Sequence, residues 1–184
     1  MGYAVEQKSQ IHSELALLTP RLKVFATALT GSESMSVTLL KATRHHLAAK
    51  VRERGHVPLA LWAFTQMHAL WASRMKPPRG ERPQPADPRL FCPRGQSADS
   101  QRVARLIAQL SPQQRATLHL VYGERYSYDE VAEVFNVPVQ TVMTRLVRSH
   151  AMLAQNGERD AQNYLSEPKQ GGNREGNYRQ GQAA

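Results

Sequence analysis

The sequence predicts an all-α protein built from two small helical domains joined by a flexible Pro-rich linker. The second domain reads as a helix-turn-helix domain and the C-terminal tail as disordered. Three observations carry this. Apolar residues recur at steps of three and four, with no β-type alternation of any length. A proline-rich stretch divides the chain near its middle. Between Leu110 and Leu153, the punctuation falls where a short helix stops and a second one starts. The expected organisation is a helical domain over 10–75, a linker over 76–99, a helix-turn-helix domain over 100–155 and a tail over 156–184.

The elements follow in order. Leu15, Leu18, Leu22, Phe25 and Leu29 mark an amphipathic helix over Glu14–Leu29, which should begin near Pro20 because proline suits a first helical turn. Thr30-Gly31-Ser32 ends it. A second helix over Met35–Arg54 places Val37, Leu40, Leu47 and Val51 on one side and a basic face opposite. Gly55 to Pro58 is a break, and Leu59–Met75 is a third, aromatic helix with Trp62, Phe64 and Trp71. Residues 76–99 hold six prolines and two glycines, too many for a helix or central strand, so the segment should be extended and mobile. Helical spacing restarts near Ser100, with Val103, Ile107 and Leu110 on one face. Ser111-Pro112 is an N-cap followed by a first-turn proline, opening a helix over Gln113–Tyr122 that Gly123 stops.

Ser127 caps the next helix, Tyr128–Phe135, with Glu130 three residues on as in a capping box. Val131, Ala132 and Phe135 form its buried face. Asn136 sits where the chain must turn sharply, and asparagine tolerates a left-handed backbone. Pro138 then opens a last helix whose inner face is Val142, Leu146, Ser149 and Leu153. Helix, tight turn and second helix, with basic residues on the second, is the pattern of a DNA reader. The plainer reading is a helix pair packed in a bundle.

Composition narrows the class. A net charge of +9 favours a polyanionic partner. Cys92 is the only cysteine, which excludes an intrachain disulfide and a zinc site with paired cysteines. No apolar run reaches the roughly 20 residues of a membrane helix, and the N-terminus lacks a signal-peptide core. The expectation is a soluble cytoplasmic protein with no cofactor, no metal and no small-molecule ligand. His45-His46 lacks further ligands and reads as a solvated face. No Gly-rich phosphate loop, Ser/His/Asp set or catalytic carboxylate pair stands out, so an enzyme is not expected.

The residues also carry a resemblance. Leu110-Ser111-Pro112 with Arg115, then Tyr126 to Glu133, then Val137-Pro138-Val139 with Thr141-Val142 and Arg145-Leu146, resembles region 4 of the extracytoplasmic-function (ECF) sigma factors of bacterial RNA polymerase. Pro20-Arg21-Leu22, Phe25-Ala26, Leu29-Thr30-Gly31, Leu39-Leu40, Thr43, Trp62-x-Phe64-Thr65 and Trp71-x-Ser73-Arg74 are similar to region 2 of the same family, in the same order. The resemblance implies promoter DNA and core RNA polymerase as partners, and an anti-sigma factor as a further one. Departures accompany it. Val37-Thr38 and Ala42 stand where the family carries acidic residues for docking on the polymerase core, and His68-Ala69 stands for Arg-Asn near the melted promoter. Gln140 and Met143 replace a common Gly and Lys. These departures also admit a sigma-like decoy acting through an anti-sigma factor, or a plain helix-turn-helix regulator.

With the last helix in a major groove, Gln140 would pair with an adenine edge and Thr144 with a thymine methyl or a phosphate. Arg145 and Arg148 would hold phosphate, and Ser127 and Tyr128 would offer backbone N–H groups to it. The candidate DNA contacts are thus Ser127, Tyr128, Gln140, Thr141, Met143, Thr144, Arg145 and Arg148, flanked by an outward Val147. The candidate promoter or core contacts in the first domain are Trp62, Thr65, His68, Trp71 and Arg74. A stacking surface for splayed bases is one reading of the aromatic helix, and a packed core is the favoured one.

Overall fold

A computed structural model describes residues 2–76, 85–92 and 97–166. Its elements are α1 (Gly2–Thr30), α2 (Glu33–Lys50), α3 (Leu59–Arg74), α4 (Ala98–Gln109), α5 (Pro112–Leu118), α6 (Tyr128–Phe135) and α7 (Val139–Ser166). Among the described residues there is no strand. The helices form two groups, α1–α3 and α4–α7, as the apolar spacing led us to expect.

The start of one helix and the inner faces of two others differ from those expected. α1 does not start near Pro20 but runs through it. Pro20 and Ala16 both lie exposed, so the carbonyl deprived of its N–H partner falls on the solvent side. Opposite them, Leu15, Leu22, Phe25 and Leu29 are buried. On α2 the buried set is Ser36, Leu39, Thr43 and Leu47, whereas Val37 is exposed and Leu40 half-buried. Hydroxyls can line this face because each donates within its own helix, Ser36 Oγ to Glu33 O at 2.7 Å and Thr43 Oγ1 to Leu39 O at 2.8 Å. The Val51 side chain lies outside the described ones. On α4 the small residues Ala104 and Ala108 face inward with Leu106, and Val103 is 53% exposed. Alanines one turn apart let α4 approach its neighbours closely, and an apolar-size pattern does not register that.

Part of the linker is ordered. Asp87 caps a 3-10 turn at Pro88–Leu90, accepting from Arg89 N at 2.9 Å. Just before it, Ala86 N donates to Ala108 O (3.2 Å) and Asp87 N to Gly31 O (3.1 Å), which ties the ends of α4 and α1 together. Gly31 has φ +64°, and a Cβ there would fall 2.6 Å from Ala86 Cβ, so both backbone angle and space demand glycine. Residues 77–84 and 93–96 of the expected mobile segment lie outside the described residues.

The two groups share one core. Phe25 of α1 meets Phe64 of α3 edge-on at 5.0 Å, and Phe64 meets Tyr126 at 5.9 Å across the seam. His68 of α3 stands edge-on to Phe135 of α6 at 4.9 Å. α1 packs on α5 and α3 on α6. At the C-terminus, α7 continues past the expected boundary at Gln155 to Ser166. Residues 158–165 include the good helix formers Glu, Arg, Ala, Gln and Leu. Residues 167–184 of the expected disordered tail lie outside the described ones.

Candidate nucleic-acid interface

The helix-turn-helix is built by local chemistry. Ser127 Oγ accepts from Glu130 N at 3.3 Å, while Ser127 N donates to Glu130 Oε2 at 2.7 Å. This reciprocal box fixes the start of α6. Asn136 ends it at φ 49°, ψ 55°, and Val137 N donates back to Ala132 O at 3.0 Å. Ser111 and Gln114 form a second capping box that opens α5 behind Pro112. Ahead of α6 the chain widens into a π-type turn over His119–Gly123 and passes through Arg125 at φ 63°.

α7 presents two faces. Val142, Leu146 and Ser149 are buried and Leu153 is half-buried. Gln140, Met143, Thr144, Val147 and Arg148 are exposed together on the opposite side. Thr144 Oγ1 donates to Gln140 O (2.8 Å), which leaves its methyl group and a lone pair for an incoming surface. Thr141 is half-buried, and its N–H closes the first turn on Pro138 O at 2.8 Å. Ser127 and Tyr128 are exposed at the start of α6, where the Ser127 hydroxyl is engaged by Glu130.

Arg145 is half-buried rather than free in solvent. Its guanidinium lies over the Phe135 ring, 5.0 Å from the centroid, and its buried Nη1 has no hydrogen-bond partner. Burial lowers its pKa from the usual guanidinium value. With Arg148, Ser111, Gln113 and Gln114 it borders a notch of about 300 Å³.

The candidate contacts of the first group fall elsewhere. Trp62 and Trp71 are core residues, as are Phe64 and Met67. Thr65 is half-buried and donates to Leu61 O at 2.9 Å, and Arg74 is exposed at the end of α3. His68 lies in the seam between Trp71 and Phe135. Burial, aided by Arg145 and Lys76, lowers its pKa to about 4, so the ring is neutral at pH 7. Of the candidates on α6 and α7, Ser127, Tyr128, Gln140, Met143, Thr144 and Arg148 are exposed, whereas on α3 only Arg74 is, and His68 packs against Phe135 of α6. His46 Nε2 pairs with Gln66 Oε1 at 3.0 Å, and no cluster of three potential metal ligands occurs among the described residues.

Reasoning from sequence missed the polar bolts of the seam. Arg21 of α1 donates through Nε to Glu124 Oε2 at 2.7 Å and through Nη2 to the same oxygen. That bond holds the Arg21 pKa up, and the Glu124 side chain is only 8% exposed. Arg115 is buried, with Nε donating to Ala28 O at 2.9 Å and Nη1 to the carbonyls of Ala108 and Leu110. It thus caps the C-terminal ends of α1 and α4, where helix dipoles favour a cation. Arg115 stood in the quoted motif, but nothing there signalled a tie between domains.

Fold and surface define a helical protein whose last two described helices form a helix-turn-helix. Comparison with known proteins makes this particular. Residues 100–153 match the family described as sigma-70, region 4. The whole fold is similar to that of the sigma factor RpoE, solved in complex with the anti-sigma factor NepR from Bartonella quintana. The TM-score is 0.65 at 23% identity, over 79% of this chain and 95% of that one. It is also similar to the anti-anti-sigma factor PhyR complexed with NepR, again from Bartonella quintana. Here the TM-score is 0.55 at 16% identity, over 79% of this chain and 50% of that one. At these identities the likeness is one of fold. No curated protein sequence matches the chain. The region 4 resemblance of the second helix group agrees with the family match over residues 100–153. No helix among the described residues is long and apolar enough to cross a membrane.

Proposed function

We propose that this chain is a sigma factor that binds core RNA polymerase and directs promoter recognition, with α7 reading the upstream promoter element. The observation that carries the reading is the free outer face of α7. The α1–α3 group docks on α5 and α6, so Gln140, Met143, Thr144, Val147 and Arg148 stay open to a duplex even in the docked arrangement. Polymerase binding falls to the first group, whose α2 exposes Val37 and Thr38 where the family carries acids. An anti-sigma factor is the expected regulatory partner, since the similar RpoE was solved with one. On this reading the protein is a non-enzymatic regulator that works in the cytoplasm.

A second reading is a sigma-like decoy that occupies an anti-sigma factor. It draws on the likeness to the anti-anti-sigma factor PhyR and on the extensive seam that holds the two groups together. Run-off transcription with purified core polymerase and a set of genomic promoters decides between them. Promoter-specific transcripts are expected. No transcripts, together with co-purification of a small helical protein and not of polymerase, would overturn the first reading in favour of the second. Within the first, Gln140→Ala should change preference at one base pair by about 1–3 kcal/mol, measured by competition binding. Arg148→Ala should weaken binding to all sequences alike and flatten its salt dependence.

A further inference from the structure

The outer face of α7 is divided along its length. One edge is cationic, where Arg145 and Arg148 border the notch beside Ser111, Gln113 and Gln114 at the start of α5. The centre is polar, with Gln140 and Thr144 both exposed and one turn apart. The other edge is apolar, where Met143 is 43% exposed and Val147 is 69% exposed. Positions three, four and seven residues apart share one side of a helix, so Gln140, Met143, Thr144 and Val147 form a continuous stripe. It spans about 10 Å of helix, roughly three base-pair steps of a duplex.

Packing does not account for Val147. It stands outside the core cluster, and a β-branched side chain slightly disfavours an exposed helix. A protein groove that takes up a helix holds apolar anchors at i, i+3 or i+4, and i+7. Met143 and Val147 supply only two of these, since Gln140 stands seven residues before Val147 and His150 seven after Met143. The stripe matches the base edges of a major groove instead. Glutamine pairs with an adenine edge, and apolar groups contact the methyl that thymine alone presents there. Guanine is read chiefly by Arg or Lys, and the stripe holds neither. Arg145 lies over the Phe135 ring, 5.0 Å from its centroid, and Arg148 stands at the edge of the notch.

On the reading of α7 as a promoter helix, we infer that Val147 and Met143 are specificity-determining residues that read thymine methyl groups. α7 then selects an A·T-rich element rather than a guanine-rich one. Arg148, on the cationic edge, holds a backbone phosphate and sets the register of the helix without reading sequence.

Selection from random duplexes with the full chain yields the preferred site, and its thymines are then replaced one at a time by uracil, which removes only the methyl. The site should be A·T-rich, and loss of each contacted methyl should weaken binding about threefold to fourfold in anisotropy titrations. Val147→Ala and Met143→Ala change exposed positions and should keep the helical circular dichroism. Each should weaken binding to the thymine site and bind thymine and uracil duplexes alike at the methyl it reads. Arg148→Ala should weaken both duplexes equally and keep the difference between them. A guanine-rich site, no base preference, equal wild-type affinity for thymine and uracil duplexes, or discrimination retained in both alanine variants would each overturn the inference and leave promoter reading by α7 standing. Failure to bind any duplex would overturn both.

Discussion

The helix-turn-helix and the seam both bury apolar side chains, but they are built on different principles. In α6–α7 each feature follows from residues within a few positions: a capping box at Ser127, a left-handed Asn136, and an inner stripe of Val142, Leu146 and Ser149. In the seam each feature joins residues far apart. Arg21 meets Glu124, Arg115 meets Ala28, and His68 meets Phe135. Local construction sets the turn between α6 and α7 from residues within a few positions of it. Non-local construction makes the seam depend on contacts between residues far apart in the chain, one of them the titratable His68.

The largest expected effect comes where the two regions coincide. Phe135 is 3% exposed and belongs both to the α6–α7 core and to the seam. Phe135→Ala should cost about 3–5 kcal/mol in chemical denaturation. A loss confined to the seam would leave residues 100–153 protected in hydrogen exchange, and that outcome would show the helix-turn-helix to be independent of this ring.

Next comes the ion pair. Glu124→Gln leaves Arg21 without its carboxylate, and Arg21→Ala leaves a nearly buried Glu124 with only His119 Nε2 beside it, at 3.5 Å. Arg21 is 42% exposed, so water softens either loss, and each variant should cost about 2 kcal/mol rather than the full penalty of a buried pair. The double variant should cost less than the sum of the two. Hydrogen exchange should rise along α1 and α3 at the seam and stay low in α7. A uniform rise would mean that the two regions open as one unit.

Acid should act on the same balance more gently. His68 titrates at about 4 when folded, against the usual 6.5 for an exposed imidazole. The unfolded or undocked chain therefore binds the proton more readily between those values. Stability is full above about pH 6.5 and falls as pH drops toward 4, with a limiting slope of about 1.4 kcal/mol per pH unit. His119 is lowered by burial too and works in the same direction. His68→Phe should flatten the profile in urea melts collected from pH 7 to pH 4.5. An unchanged slope would place the acid sensitivity elsewhere.

How much of this was legible follows from the same contrast. Capping residues, first-turn prolines and the Asn136 turn have signatures a few residues long, so the helix order and both faces of α7 could be read directly. The inner faces of α2 and α4 could not, because Ser36, Thr43, Ala104 and Ala108 pack by being small or by hydrogen-bonding to their own helix. The ordered turn around Ala86 was hidden among prolines, and its reason lies in Gly31, more than fifty residues earlier. Arg145 shows the limit most plainly. Its position on the helix suggests a phosphate contact, whereas its guanidinium rests on Phe135 with one nitrogen unpaired. Only the fold brings that ring within reach.

The smallest effect probes the local side of the contrast. Asn136 holds φ 49°, where a Cβ is tolerated but not favoured, so its own contribution is conformational. Asn136→Ala should lose about 1 kcal/mol, because alanine has no side-chain amide to ease the left-handed backbone. Asn136→Gly should stay within a few tenths of wild type, since a relaxed native angle offsets the greater freedom of the unfolded chain. Duplex binding should follow the same order, with the glycine variant unaltered and the alanine variant weakened through misplacement of α7. If alanine and glycine cost the same, the asparagine side chain would be serving a contact rather than an angle. The turn between α6 and α7 would then depend on its surroundings as the seam does.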